Sequence, residues 1–503
     1  MTIKTRAVLL SVFILLAAAA GYWFYSKRST PLSQDPTKKY NVVVIVADAL
    51  RQDVLGCYGG VAQTPNIDWL VENGVIFDNA YSTSPWTSPS SVSMFTGNYA
   101  TSYGYAQEGK TKKNPIAGKE EDVYIPQIYV PESEVLFAES LKQLGYDTGV
   151  QIENINASMH NNLQGFAYIP QTKPQKPILS QIGKITGGVF YDSWEQSDAY
   201  GNSFCFLRYL LKMDPGTSFF AVHWILDPHA PYDPIEKFAS MIEFDGSKLP
   251  VPKHYYSKRI YDKKECSDVE MEFIKKLYVA EIQSVDERVG FVLDMLRHKK
   301  MLDNTYIVFT SDHGEQFGEH GLFEHGGHGK GCHFYEVLVK VPLIIAGPEL
   351  PKGRRIKNNV SLAGLTPTLK ELLGVKYNSN MLGTSYVPLF SADETERDYI
   401  YLDDVQEHDH VDALVENNYK LIVTRDGALE LYDIASDPHE TVNYAARVPD
   451  VTDSMYDKIL EIRKQIEKRR KRNLEALGDD LPMMSEEKKR KVIEKLKALG
   501  YVD

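Results

Sequence analysis

The chain has 503 residues, 43% of them hydrophobic, enough apolar material for one large α/β core with a smaller partner, which excludes a mainly disordered protein. Its formal net charge of -12 excludes a general nucleic-acid binder, because phosphate contacts need clustered lysine and arginine. Four cysteines, Cys57, Cys205, Cys266 and Cys332, lack C-x-x-C spacing and form neither a zinc framework nor a disulfide scaffold.

The first predicted element is "AVLLSVFILLAAAAGYWFY", residues 7–25, an uncharged run between Lys4 and Arg6 on one side and Lys27 and Arg28 on the other. Roughly 20 apolar residues cross a bilayer as a helix. A retained transmembrane anchor is the expectation for residues 1–28, with a cleaved signal peptide as the rival. Either requires export, so the catalytic domain is expected outside the cytoplasm, membrane-anchored or secreted. A polar linker at 29–39 follows.

"NVVVIVAD" reads as a buried parallel strand ending in an acid, and "NIDWLVENG" as a short helix stopped by glycine. The rhythm recurs. "VLFAESLKQLGYDTGVQI" predicts helix, turn and strand, and "SFFAVHWIL" predicts a strand ending at "DPHAPYD". A long amphipathic helix then feeds a strand ending in "TSDHG". Alternating helix and apolar strand predicts an α/β domain over 40–375, its sheet mostly parallel and covered by helices on both faces. From 376 to 445, "DYIYLDDV", "HVDALVENNYKLIVTRD" and "ALELYDI" predict an α+β subdomain with antiparallel strands and a hairpin turn at "RDG". The tail, 446–503, reads as two charged amphipathic helices, and its basic run "EKRRKRN", 467–473, as a solvated helix face.

Ligands of parallel sheets collect at the carboxyl ends of the strands, and Asp48, Asp227 and Asp312 all stand there. One such acid is ordinarily a cap. Three, one followed by His313 and another by Pro228-His229, point to a site.

These motifs resemble a known family. "NVVVIVADALRQDVLGCYGG", "SPWTSPSSVSMFTG", "DPHAPYDP", "TSDHGEQFGEHG", "FYEVLVKVPLIIAGP", "LAGLTPTLKELLGV" and "ELYDIASDPHETVNY" are similar, in this order over residues 40–445, to the sulfatase family of the alkaline phosphatase superfamily. The resemblance implies the alkaline-phosphatase-like fold and hydrolysis of an ester. It also implies metal ligation by Asp48, Asp312 and His313, with Thr87 at the nucleophile position. His229 matches a histidine that contacts the ester or its leaving oxygen. The segment "HGLFEHGGHGKGCHFYE" carries His320, His325, His328, Lys330 and His333, and either Lys330 or His328 fills the role of the family's basic contact before "YE". Two carboxylates and one imidazole favour a hard cation, and the resemblance implies one Ca²⁺, with Mg²⁺, Mn²⁺ and Zn²⁺ as alternatives. Such an ion would also meet the Thr87 hydroxyl and acidify it.

The chain departs from the family at the residue that is oxidised to formylglycine. Thr87-Ser88-Pro89-Ser90-Ser91 stands where cysteine or serine, and later arginine, are usual. Threonine oxidised at that carbon gives a ketone, so no formylglycine is expected. A second acid after Asp48 is Ala49, a basic residue after "TG" is Asn98, and expected histidines are Thr101 and Tyr103. Three readings compete. The first is an exported hydrolase of sulfuric or phosphoric esters, its substrate free or carried on a glycan or lipid. The others are a membrane-anchored phosphodiesterase or phosphotransferase acting on a lipid or glycan head group, and a degenerate binding module.

Overall fold

The computed structural model describes residues 38–103, 105–113, 120–158, 161–170, 176–187, 198–242, 267–325, 333–375, 381–391, 399–404, 411–424 and 426–477. The expected anchor at 7–25, the second tail helix, Lys330, His328, Cys266 and Cys332 lie outside these residues. Among the described residues no helix is long and apolar enough to cross a membrane. Cys57 is a half-buried free thiol, and Cys205 is buried in the core.

Strand β1 (Asn41–Ala47) is buried along its whole length, and its alternation feeds two cores at once. Val43, Ile45 and Ala47 face one hydrophobic layer, Val42, Val44 and Val46 the other. Helix α1 (Pro65–Glu72) leads into β2 (Gly74–Tyr81), and α2 (Thr87–Thr96) follows after a short loop. Helix α3 (Phe137–Gln143) precedes β3 (Asp147–Ile152), and the two-residue β4 (Ala167–Tyr168) closes that edge. Next come α4 (Asp198–Lys212), β5 (Phe219–Ile225), α5 (Asp268–His298) and β6 (Thr305–Thr310). Helix α5 starts at a capping box: Ser267 Oγ accepts from the Glu270 N–H, while Glu270 accepts from the Ser267 N–H. Strands β7 (Leu343–Ala346) and β8 (Arg354–Ser361) and helix α6 (Leu365–Leu372) complete the layer.

The eight strands form one sheet in the order β8-β2-β7-β6-β1-β5-β3-β4. All its pairings are parallel except those of β7, which runs antiparallel to β2 and β6. The chain segments leaving β1, β2, β3, β5 and β6 therefore emerge at the same edge. Helices α1, α4 and α5 cover one face; α2, α3 and α6 cover the other.

The smaller sheet is antiparallel, β9 (Tyr399–Asp403), β10 (Asp412–Glu416), β11 (Tyr419–Val423) and β12 (Leu429–Asp433) in sequential order. Asp426 and Gly427 of the predicted turn lie between β11 and β12, with the Gly427 N–H donating to the Thr424 carbonyl at 2.9 Å. One face packs on Tyr81, Phe334, Leu338 and Val339 of the large domain. The other receives helix α7 (Pro449–Leu477) through Met455, Ile459 and Ile466. The basic run differs from a purely solvated face. Arg469 turns inward to pair with Glu134 at 2.9 Å, and Asn473 donates to the Ser102 carbonyl, because α7 crosses the loops beyond α2.

Candidate active site

Side-chain parity past the strand ends decides what meets at the sheet edge. Val46, Ile152 and Val308 belong to the core layer on the α2 side, and the alternation continued beyond them places Asp48, Asn154 and Asp312 on that side. Ile225 faces α5, and the same rule sends Asp227 there. The expectation that three strand-end acids converge is thus corrected to two. Asp227 pairs with Arg288 of α5, which also lies 3.8 Å from Glu153, and Asp227 is not part of the metal-ligand group.

Asp48, Asp312 and His313 are fully buried, and one potential ligand atom from each lies within 4.8 Å of the others. Each carboxylate has one oxygen engaged and one bare. Asp48 Oδ2 accepts from Trp224 Nε1 and Asn154 Nδ2, both at 2.8 Å, and Asp312 Oδ1 accepts from the N–H groups of Ala49 and His313. Among the described residues Asp48 Oδ1 and Asp312 Oδ2 accept no well-formed hydrogen bond, although the Thr87 hydroxyl reaches the Asp312 carboxylate. Both oxygens lie beside His313 Nε2, at 3.6 and 3.4 Å. His313 Nδ1 faces the Gly314 carbonyl at 2.8 Å; a carbonyl only accepts, so Nδ1 carries a proton, which in the neutral imidazole leaves the Nε2 lone pair for a cation. Burial, reinforced by the charge of Asp312, pushes the Asp48 carboxyl up to about 8, and burial pushes Asp312 up to about 7. Two bare buried carboxylate oxygens and an unprotonated ring nitrogen are the donor set that a divalent cation satisfies. Ala49, where the family's second acid is usual, has φ 57° and serves through its backbone.

Thr87 is the first residue of α2, with Trp86 before it tied by Nε1 to Asp404 at 2.6 Å. Gly97, at φ 71°, ends the helix in the left-handed conformation, where an added Cβ would meet Met381 Sδ at 2.9 Å. Ser90 fixes α2 to the site, donating to the Asp312 carbonyl at 2.7 Å. Thr87 Oγ1 comes to lie 3.3 Å from His313 Nε2 and 3.2 Å from Asn154 Nδ2. Ser91, the usual arginine position, donates to the Ser88 carbonyl and offers no positive charge.

His229 is buried with Nδ1 2.6 Å from the Ala230 carbonyl, and burial holds its imidazole down at about 3, neutral. Its ring stands 4.8 Å from that of His325, which is 4.3 Å from His313. His325 Nδ1 is 3.0 Å from Glu315 Oε1, and Glu315 also accepts from Tyr232. His320 stacks on Tyr335 at 3.7 Å, and His333 flanks the same ring. The sequence pattern missed Asn154 and Trp224 and left His325 without a role. Strand parity was the signal available for Asn154, a neutral residue where acids drew the eye.

Residues 40–375 match the sulfatase family model, two thirds of the chain. The chain belongs to the sulfatase family. Residues 318–467 of this sulfatase-family protein also match the model for the C-terminal part of N-sulphoglucosamine sulphohydrolase. Arylsulfatase K of Xenopus laevis is 26% identical over 86% of this chain and 84% of its own length. Among solved structures, the phosphonate monoester hydrolase of Agrobacterium radiobacter superposes with a TM-score of 0.62 at 21% identity, over 85% of this chain and 96% of that one. A structure solved with its substrate D-glucosamine-2-N,6-O-disulfate gives 0.63 at 19%, over 86% and 99%. The family is thus one of sulfuric ester hydrolases, with phosphonate monoester hydrolases among its structural neighbours.

Proposed function

We propose that this protein is an exported, metal-dependent hydrolase of sulfuric or phosphoric esters in which Thr87 Oγ1 is the nucleophile. The observation that carries the reading is the position of Thr87 Oγ1, 3.3 Å from His313 Nε2 and beside the bare oxygens of Asp48 and Asp312. Asp48, Asp312 and His313 would hold the cation. When bound, it lowers the pKa of the Thr87 hydroxyl and offsets charge on the ester oxygens.

Thr87 Oγ1 gives up its proton to solvent and attacks the central sulfur or phosphorus, forming a Thr ester as the bond to the leaving oxygen breaks and that oxygen takes a proton from water. His229 is the imidazole assigned to that leaving oxygen. Water then attacks the same central atom; the bond to Thr87 Oγ1 breaks and the hydroxyl regains a proton. Formylglycine can expel its sulfate by breaking a C–O bond, whereas a Thr ester must be cleared at sulfur or phosphorus, a demand phosphorus meets more readily. A sulfated glycan fits the compounds named for structural neighbours, one solved with D-glucosamine-2-N,6-O-disulfate and one with a neocarrahexaose. Residues 7–25 would carry the enzyme on the outer face of a membrane.

The test is turnover by the full chain of para-nitrophenyl sulfate, phosphate, phosphodiester and phosphonate esters with Ca²⁺, Mn²⁺ or Zn²⁺. Thr87→Ala is expected to lower kcat on the best substrate by about 10³-fold or more. Full turnover by Thr87→Ala would overturn the assignment. Protease protection of the catalytic domain in intact cells, retained after spheroplasting, would overturn export.

A further inference from the structure

We propose that Asn154 is a catalytic residue, the hydrogen-bond donor to the oxygen of Thr87 that attacks the ester. The inference rests on the Thr87 reading.

Asn154 is fully buried, and its amide has a single orientation. Oδ1 accepts from the backbone N–H of Asn156 at 2.9 Å, so Nδ2 is the atom that faces the site. Its two hydrogens have two acceptors, Asp48 Oδ2 at 2.8 Å and Thr87 Oγ1 at 3.2 Å. One neutral amide thus spans a metal-binding carboxylate and the nucleophile, locked by its neighbour's backbone at the end of β3. Since Nδ2 can only donate, Thr87 Oγ1 accepts there and its own hydrogen is directed elsewhere. That hydrogen is left for the Asp312 carboxylate, to which the Thr87 hydroxyl donates, and His313 Nε2, 3.3 Å from Oγ1, keeps its lone pair for a cation.

The donor gains strength as chemistry proceeds. Oγ1 is most negative when it attacks and again when it departs from the Thr ester, and a fixed N–H aimed at it stabilises both states more than the resting hydroxyl. Burial makes the effect larger than in water and leaves nothing to reorganise. Among the described residues the partners of Thr87 Oγ1 are Asn154, His313 and Asp312, and Asn154 is the neutral donor of that set. The bonds made and broken are those of the ester transfer itself: Oγ1 to sulfur or phosphorus forms, the leaving oxygen departs, water reverses the first bond and a proton returns to Oγ1.

The experiment measures kcat and KM of the full chain on para-nitrophenyl phosphate and para-nitrophenyl sulfate, with Mn²⁺ affinity by calorimetry and Tm by scanning fluorimetry. Asn154→Ala is expected to lose about 10²–10³-fold in kcat, the size of one oxyanion-type donor, with KM and the Mn²⁺ Kd within several-fold of wild type. Asn154→Asp, which puts a second carboxylate beside Asp48, should lose at least as much. Asn154→Ser restores one donor and should recover part of the rate, which keeps the test valid if the alanine variant folds poorly. A loss that disappears at saturating Mn²⁺ would show Asn154 serving Asp48 alone and overturn the proposal. Wild-type kcat in Asn154→Ala, with Thr87→Ala inactive, would overturn the proposal while leaving the nucleophile in place. An active Thr87→Ala would remove both.

Discussion

At the scale of single residues, the site is built at a cost to the fold. Among the described residues Asp48 Oδ1 and Asp312 Oδ2 are buried without a well-formed hydrogen bond, and the two carboxylates repel each other. Above about pH 8, where both carboxyls ionise, removing one charge relieves the metal-free protein, so Asp312→Asn is expected there to raise Tm in chelator by a few degrees. The same variant should lose the stabilisation that wild type gains from cation, about 2.7 kcal/mol at a hundredfold excess over Kd. Scanning calorimetry with and without Mn²⁺ checks both signs, and a variant that still gains Tm from Mn²⁺ would remove Asp312 from the ligand set. A second buried acid, Asp403 at the end of β9, is pushed up to about 8 by burial although Thr101 donates to it. In the unfolded chain it titrates near 4, so between about pH 4 and 8 the folded state holds the extra proton and stability falls as pH rises. Asp403→Asn removes that slope. Its Tm should match wild type near pH 4 and exceed it by about 2 °C or more at pH 8; parallel pH profiles would show that Asp403 is ionised in the fold.

Whole elements carry the site residues by their boundaries rather than their interiors. Asp48 follows β1, Asp312 and His313 follow β6, Asn154 follows β3, and Thr87 opens α2. Helix α5 matters on the opposite face, where Arg288 collects Asp227 and Glu153 and keeps those acids out of the metal group. Burial still pushes the Glu153 carboxyl up to about 8, since the Arg288 charge offsets only part of it. The α5 capping box is a local device with a local cost. Ser267→Ala should destabilise by about 1 kcal/mol in chemical denaturation, with no change in kcat.

In the molecule as a whole, the small sheet is held to the large one by a buried ion cluster as well as by apolar packing. Lys420 of β11 is fully buried and pairs with Glu336 at 2.9 Å and with Glu440, while Glu440 also accepts from the Glu336 N–H at 2.6 Å. Glu336 belongs to the "YE" dipeptide, whose tyrosine carries the His320 stack. Truncating the cation strands two carboxylates, so Lys420→Met is expected to cost about 3–5 kcal/mol and to loosen the segment at 333–340 in hydrogen exchange. Helix α7 covers the outer face of the same sheet through Met455, Ile459 and Ile466 against Tyr401, Leu414, Leu421 and Leu431. Ending the chain at residue 448 would expose that face, and the product is expected to aggregate on expression. A soluble, monomeric product with wild-type Tm would refute the packing role.

The sequence by itself determined four of the large sheet's eight strands, β1, β3, β5 and β6, the antiparallel character of the small sheet, and the candidacy of Asp48, Thr87, Asp312 and His313. Each rests on a local signal: a β-branched apolar run, an alternation, a motif. Two-sided burial of β1 was legible for the same reason, since an uninterrupted "VVVIVA" leaves no face for water. Only the tertiary structure decided which strand-end groups meet. Asp227 and Asp48 look alike in the sequence, yet one residue of parity sends the first to Arg288 and the second to the metal group. Asn154 carries neither charge nor motif, and its place beside Thr87 comes from a contact across 67 positions of chain. Likewise Arg469 looked like part of a solvated run until a helix more than three hundred residues away from Glu134 brought it down on that acid. Local patterns encode which element forms and which side chains lie at its end; the packing of distant elements sets the company those side chains keep.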